Sequence, residues 1–253
     1  MRIPIIAGNW KMHKTGQEAV DLASDLKERL KSIKGVKVVI CPPFTSLSSV
    51  SKAIERSNIS LGGQNMHWEE KGAFTGEVSP TMLLTAGCEY VIIGHSERRA
   101  LFSETDNMVS LKTKSSLKFY LSPIICVGER LEQREANETK EVVEHQVKGA
   151  FKDLNSEDAE KTVVAYEPVW AIGSGKTATP QQANEVHLFI RELLSSEFGK
   201  QCAEKINILY GGSVKAENSR ELLEMPEIDG ALVGGASLDA ESFEKIVRSS
   251  ITD

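Results

Sequence analysis

Eight short runs of almost uninterrupted apolar residues recur along this chain, at 3–8, 36–41, 59–63, 90–94, 121–127, 162–166, 206–210 and 228–233. A strand with one wet face alternates apolar and polar side chains. A run that is apolar throughout belongs to a parallel strand covered on both faces. Longer amphipathic stretches separate the runs. In 15–33, Val20, Leu22, Ala23, Leu26 and Leu30 form a helical stripe, and 105–119, 136–151, 180–198, 218–223 and 238–247 read the same way. Thr179 precedes Pro180 as a capping residue precedes a proline in the first helical turn, and Ser237 stands likewise before Leu238. Eight strand–helix units in 253 residues is about 32 residues per unit, the size of one βα step. The expectation is an α/β chain forming one domain over 1–253, a closed (β/α)8 barrel. The rival, an open doubly wound sheet, calls for a glycine-rich phosphate loop after its first strand. Ala7-Gly8-Asn9-Trp10-Lys11 is not such a loop, and no linker or composition shift marks a second domain.

The net charge of −6 argues against a general nucleic-acid or acidic-membrane binder. An anionic ligand would have to be drawn in by local lysines, backbone N–H groups and helix N-termini. Cys41, Cys88, Cys126 and Cys202 are scattered and form no CxxC pair, which speaks against a zinc ribbon or a dithiol motif. They read as buried, reduced thiols of a cytoplasmic protein. The apolar run before Lys11 is too short for a signal-peptide core, and no stretch approaches the ~20 apolar residues of a membrane helix. No His and carboxylate share one element at ligand spacing, so no metal cluster is expected.

Barrels place function at the carboxyl ends of their strands. The sixth run ends in Glu167 and then Pro168, which offers no N–H and stops the strand with a carboxylate at its tip. The loop that follows is apolar, with glycines at 173 and 175. Exposed loops are usually polar, so an apolar loop beside a carboxylate is built to fold over something. A base with its own lid is a catalytic arrangement; a hydrophobic loop packed on the core beside a capping acid is the alternative. Gly211-Gly212-Ser213 and Gly234-Gly235 follow the seventh and eighth runs, where barrels hold phosphate on backbone N–H groups. His95 opens a helix whose positive end disfavours imidazolium, so it should be neutral and act as a hydrogen-bond donor or proton shuttle. Lys11, at the first tip behind Trp10, is the natural counter-charge for an anion. Gly175-Lys176-Thr177 imitates the end of a P-loop, but the required first glycine is Trp170. The connection 64–79 is long and carries Trp68 and Phe74, which suits a subunit contact, with internal packing as the alternative.

Seven motifs, GNWKM at 8–12, QN at 64–65, GAFTGE at 72–77, IIGHSERR at 92–99, CVGE at 126–129, AYEPVWAIGSG at 165–175 and YGGS at 210–213, resemble the triosephosphate isomerase family. They keep that family's order over nearly the whole chain. Ser174 stands where the family often has Thr, and His13 where Asn is frequent. The resemblance implies a TIM barrel that interconverts dihydroxyacetone phosphate and D-glyceraldehyde 3-phosphate through an enediol or enediolate. It implies no metal or other cofactor, and a cytoplasmic homodimer serving glycolysis and gluconeogenesis. Glu167 is then the general base, His95 the neutral electrophile and Lys11 the positive charge, with Asn9 and Glu97 in support. Gly173, Ser213, Gly234 and Gly235 are implied to bind the phosphate. The lid is Pro168, Val169, Trp170, Ala171, Ile172, Gly173, Ser174, Gly175, Lys176, Thr177 and Ala178, and Thr75 reaches into the neighbouring subunit. Another sugar-phosphate barrel, such as an aminoaldose isomerase, leaves the Glu-Pro lid unexplained. A silent phosphate-binding barrel predicts a missing base or electrophile, yet Lys11, His95 and Glu167 are all present.

Overall fold

The computed structural model describes residues 2–171 and 177–251. Parallel strands β1 (Ile5–Asn9), β2 (Lys37–Cys41), β3 (Ile59–Gly63), β4 (Cys88–Ile93), β5 (Ser122–Val127), β6 (Val163–Tyr166), β7 (Asn207–Tyr210) and β8 (Gly230–Val233) close into a barrel in chain order. β8 returns to β1 with Ile5 opposite Gly230 and Gly8 opposite Val233. The connections carry α1 (Gly16–Leu30) after β1, α2 (Leu47–Ala53) after β2 and α3 (Pro80–Thr85) after β3. After β4 come α4 (Ser96–Leu101) and α5 (Asp106–Lys118), and after β5 come α6 (Leu131–Glu135), α7 (Thr139–Ala150) and α8 (Ser156–Ala159). β6 is followed by α9 (Pro180–Phe198) and α10 (Lys200–Ala203), β7 by α11 (Ser219–Leu223), and β8 by α12 (Ala240–Ser249). Among the described residues no helix is long and apolar enough to cross a membrane.

The apolar runs are continuous because successive side chains serve two cores. Ile5, Ala7, Val39, Ile92, Ile124 and Leu209 fill the barrel interior. Their neighbours Ile6, Ile40, Val91, Ile125, Val164 and Ile208 face outward into the layer beneath the helices. The seam between β7 and β8 has a single residue pair, Tyr210 with Ala231. Side chains complete it: Asp229 Oδ2 accepts the Ile208 N–H at 2.8 Å and a guanidinium hydrogen of buried Arg191. Arg2 holds the other oxygen of the same carboxylate.

Element boundaries differ from the sequence reading where local chemistry intervenes. β1 starts at Ile5 because Pro4 has no N–H to give, although its carbonyl accepts from the Lys37 N–H at 2.8 Å. The helix expected over 136–151 starts only at Thr139, because Asn137 turns left-handed at φ 61; the separate short helix α6 ends before that turn, at Glu135. The helix expected from Leu238 starts at Ala240, capped by Asp239 accepting the Ser242 N–H. Ser237 instead donates its hydroxyl to Gly234 O inside a 3-10 turn, Gly235–Leu238. The Thr179 cap stands as read, with Gln182 answering it through a reciprocal bond.

His187, on the inner face of α9, is fully buried against the rings of Tyr166 and Tyr210. Its Nδ1 meets Glu227 O at 3.1 Å, and burial pushes its pKa from 6.5 to about 3. The folded chain keeps this ring neutral while the unfolded chain protonates it below pH 6.5. Stability is therefore full above that pH and falls as acid approaches the folded pKa, by about 3 kcal/mol at pH 4. In urea unfolding, the stability lost between pH 7 and pH 4 should shrink by about that amount in His187→Phe.

Candidate active site

A cavity of about 720 Å³ opens at the carboxyl ends of the strands, lined among others by Asn9, Lys11, His95, Glu97, Glu167, Ser213, Gly234 and Gly235. The described residues expected for catalysis and for phosphate binding thus all line one cavity; the described lid flanks and Thr75 are not among its lining. Gly173, with Ile172, Ser174, Gly175 and Lys176, lies outside the described residues.

Glu167 follows β6 and is 2% exposed. Its backbone N–H donates to Val127 O at 2.7 Å, continuing the ladder one step past the strand. One carboxylate oxygen accepts the Ser96 N–H at 2.9 Å, and the other lies 3.0 Å from His95 Nε2 and 3.3 Å from Ser96 Oγ. Burial pushes the carboxyl up, but His95, the Ser96 N–H and Lys11 pull it down further, so the balance is below the ordinary glutamate value. Glu167 is held as an anion, charged and ready to accept a proton.

His95 is reached through Gly94, whose φ of 71 makes the turn out of β4. The imidazole caps α4, its Nδ1 accepting the Glu97 N–H at 3.2 Å. A nitrogen that accepts carries no proton, so in this arrangement the ring is neutral and its hydrogen sits on Nε2, facing Glu167. Burial lowers the His95 pKa and the adjoining Glu167 carboxylate raises it, leaving the balance upward. The sequence reading weighed only the helix end; the carboxylate at Nε2 is the opposing influence it lacked.

Lys11 departs from β1 in the left-handed region, at φ 50. For a side-chain-bearing residue that costs about 1 kcal/mol or more. Asn9 Oδ1 steadies the turn by accepting the Lys11 N–H at 3.0 Å. The ammonium lies 2.6 Å from Glu97 Oε1, and the stem passes Gly234 so closely that a Cβ there would sit 3.6 Å from Lys11 Cε. Lys11 therefore spans the space between the His95–Glu167 pair and the glycine-rich end of the cavity. At that end, Gly211, Gly212 and Ser213 follow β7, the 3-10 turn starting at Gly235 follows β8, and Lys215 adds a cation.

The described flanks of the expected lid are anchored. Pro168 leads into a 3-10 turn, Val169–Ala171, and Trp170 Nε1 donates to buried Glu129 at 2.8 Å. Glu129 also accepts from the Tyr166 hydroxyl at 3.1 Å, and its main-chain oxygen accepts from the Val169 N–H. Burial raises the Glu129 pKa above the ordinary glutamate value, and Arg134, 3.7 Å away, opposes this. Thr177 and Ala178 lead into α9.

Sequence reasoning missed three partners. Ser96 had no role of its own within the IIGHSERR motif, although its N–H and hydroxyl contact Glu167. Glu129 sat in a motif without a role, and Lys215 carried no signal apart from following the YGGS loop. Gly128 was also silent: a Cβ there would lie 1.7 Å from Glu167 O. Gly128→Ala must displace the β6 tip, with an expected stability loss of about 1–3 kcal/mol by urea unfolding. Turnover should fall about 100-fold, since the base moves with its backbone.

The triosephosphate isomerase family model matches residues 4–250. Proteins named triosephosphate isomerase are similar over their full length. That of Carboxydothermus hydrogenoformans is 58% identical over 251 residues, 99% of this chain and 100% of that protein. That of Caldanaerobacter subterraneus subsp. tengcongensis is 56% identical over 98% of this chain and 100% of its own. That of Alkaliphilus oremlandii is 53% identical with the same coverages. With the family model spanning the barrel and relatives matched end to end, the chain belongs to the triosephosphate isomerase family.

Proposed function

We propose that this chain interconverts dihydroxyacetone phosphate and D-glyceraldehyde 3-phosphate by proton transfer through an enediol or enediolate, without a metal. The observation that carries the reading is the buried contact between Glu167 and the Nε2–H of His95, inside a cavity whose far wall is glycine-rich backbone. Glu167 takes the proton from the carbon beside the carbonyl. Negative charge then grows on the carbonyl oxygen, where His95 Nε2–H and the Lys11 ammonium are the donors at hand. The Glu167 carboxylic acid returns the proton to the neighbouring carbon, and oxygen-to-oxygen transfer through His95 completes the exchange.

Glu97 and Asn9 act through Lys11, one at its ammonium and the other at its backbone N–H. Ser213, Gly234, Gly235 and Gly173 bind the phosphate, and the lid from Pro168 to Ala178 closes over it. An enediolate beside a phosphate ester readily expels phosphate, so water exclusion has a chemical purpose. The setting is the cytoplasm, in glycolysis and gluconeogenesis.

The working form is a homodimer. Large exposed apolar side chains crowd the connections after the first four strands, among them Met12, Phe44, Phe74, Met82 and Phe102. The tip of 64–79 is exposed from Lys71 to Glu77, with Thr75 at its apex. Such a patch on one side of a barrel rim fits a second copy presenting the same surface.

The assay converts glyceraldehyde 3-phosphate in the presence of EDTA, with product coupled to NADH oxidation; rapid turnover is expected, and none would refute the proposal. In that assay Glu167→Gln should lose at least ~10³-fold in turnover, within the range of a positioned base. Thr75→Arg should run as a monomer by light scattering; a full dimer of undiminished activity would take the contact away from this loop.

A further inference from the structure

Lys11 holds a left-handed backbone conformation that side-chain-bearing residues seldom keep unaided. Asn9 secures its N–H, and a second group secures its carbonyl. Gln64, the residue after β3, donates from Nε2 to Lys11 O at 2.8 Å and to Cys41 O at 2.8 Å. A carboxamide nitrogen has two hydrogens, and both are used, so the orientation of this amide is fixed by the two carbonyls it faces. Cys41 O also accepts the Trp10 N–H at 3.1 Å. One side chain from the third strand tip thus fastens the first tip to the second on either side of the turn at Lys11.

We infer that Gln64 is a positioning residue for Lys11, holding the left-handed turn that aims the ammonium at Glu97 and along Gly234. The inference rests on Lys11 being the counter-charge for the phosphorylated substrate. Glutamine suits the place better than its near isosteres: asparagine is a methylene shorter, methionine fills similar space without a donor, and an ionised glutamate offers the two carbonyls only lone pairs. A part that merely tied strand tips together would alter stability without selecting Lys11-dependent binding.

A double-mutant cycle separates these roles, with the Kd for glycerol 3-phosphate read by calorimetry in the wild type, Gln64→Met, Lys11→Met and the double variant. Gln64→Met should weaken binding about tenfold in the wild-type background, as expected when a charged contact is misplaced. In the Lys11→Met background it should change Kd less than about twofold. Unchanged binding in Gln64→Met, or an equal loss in both backgrounds, overturns the inference. Wild-type affinity in Lys11→Met would instead remove the reading of Lys11 on which it rests. Gln64→Glu carries the test if Gln64→Met fails to melt cooperatively. The facing carbonyls raise that carboxyl's pKa, and its protonated form regains one donor. Its binding deficit relative to wild type should therefore shrink as pH falls; a deficit constant with pH would overturn the proposal.

Discussion

Closure of a parallel sheet on itself sets everything else. With all strands running the same way and β8 registered against β1, eight carboxyl ends share one rim and eight amino ends the other. A histidine at the end of the fourth strand and a glutamate at the end of the sixth then meet at 3.0 Å, although 71 sequence positions separate Glu167 from Ser96 next to that histidine. Both side chains are nearly dry, an environment hostile to charge unless each polar atom has a partner. The site supplies those partners from the rim itself, through backbone N–H groups of α4 and the imidazole.

The electrostatics are local by necessity. The chain is acidic overall at −6, a field that opposes a phosphorylated ligand. Lys11, Lys215 and the backbone amides after β7 and β8 offset it within one cavity. Lys11 reaches from Glu97 to Gly234 across that cavity, and the loop that clamps its carbonyl is the same 64–79 segment whose tip is exposed.

The strands were legible because burial on two faces leaves a continuous apolar mark, and the long helices because they repeat a stripe. α2, α3, α6, α8 and α10 left little trace: four to seven residues are too few to show a period. At the site, Lys11, His95 and Glu167 stood out because ionisable residues at strand tips are conspicuous. Ser96 and Gln64 did not, since their work is done by an N–H and an amide whose partners are fixed only by three-dimensional geometry. The late start of α7 depended on one left-handed residue, Asn137, that composition does not announce.

Glu167, the proposed base, is located against main chain more than against side chains. Its N–H is tied to Val127 O, its own carbonyl lies where Gly128 lacks a Cβ, one of its oxygens is fixed by an N–H, and the preceding carbonyl of Tyr166 accepts the Gly211 N–H at 2.7 Å. Strand spacing is set by hydrogen-bond length and hardly varies with sequence. The Glu167 carboxylate is thus measured from a ruler that mutation cannot easily rescale, and the hydrophobic residues around the barrel are free to drift while the geometry of the proposed site stays where it is.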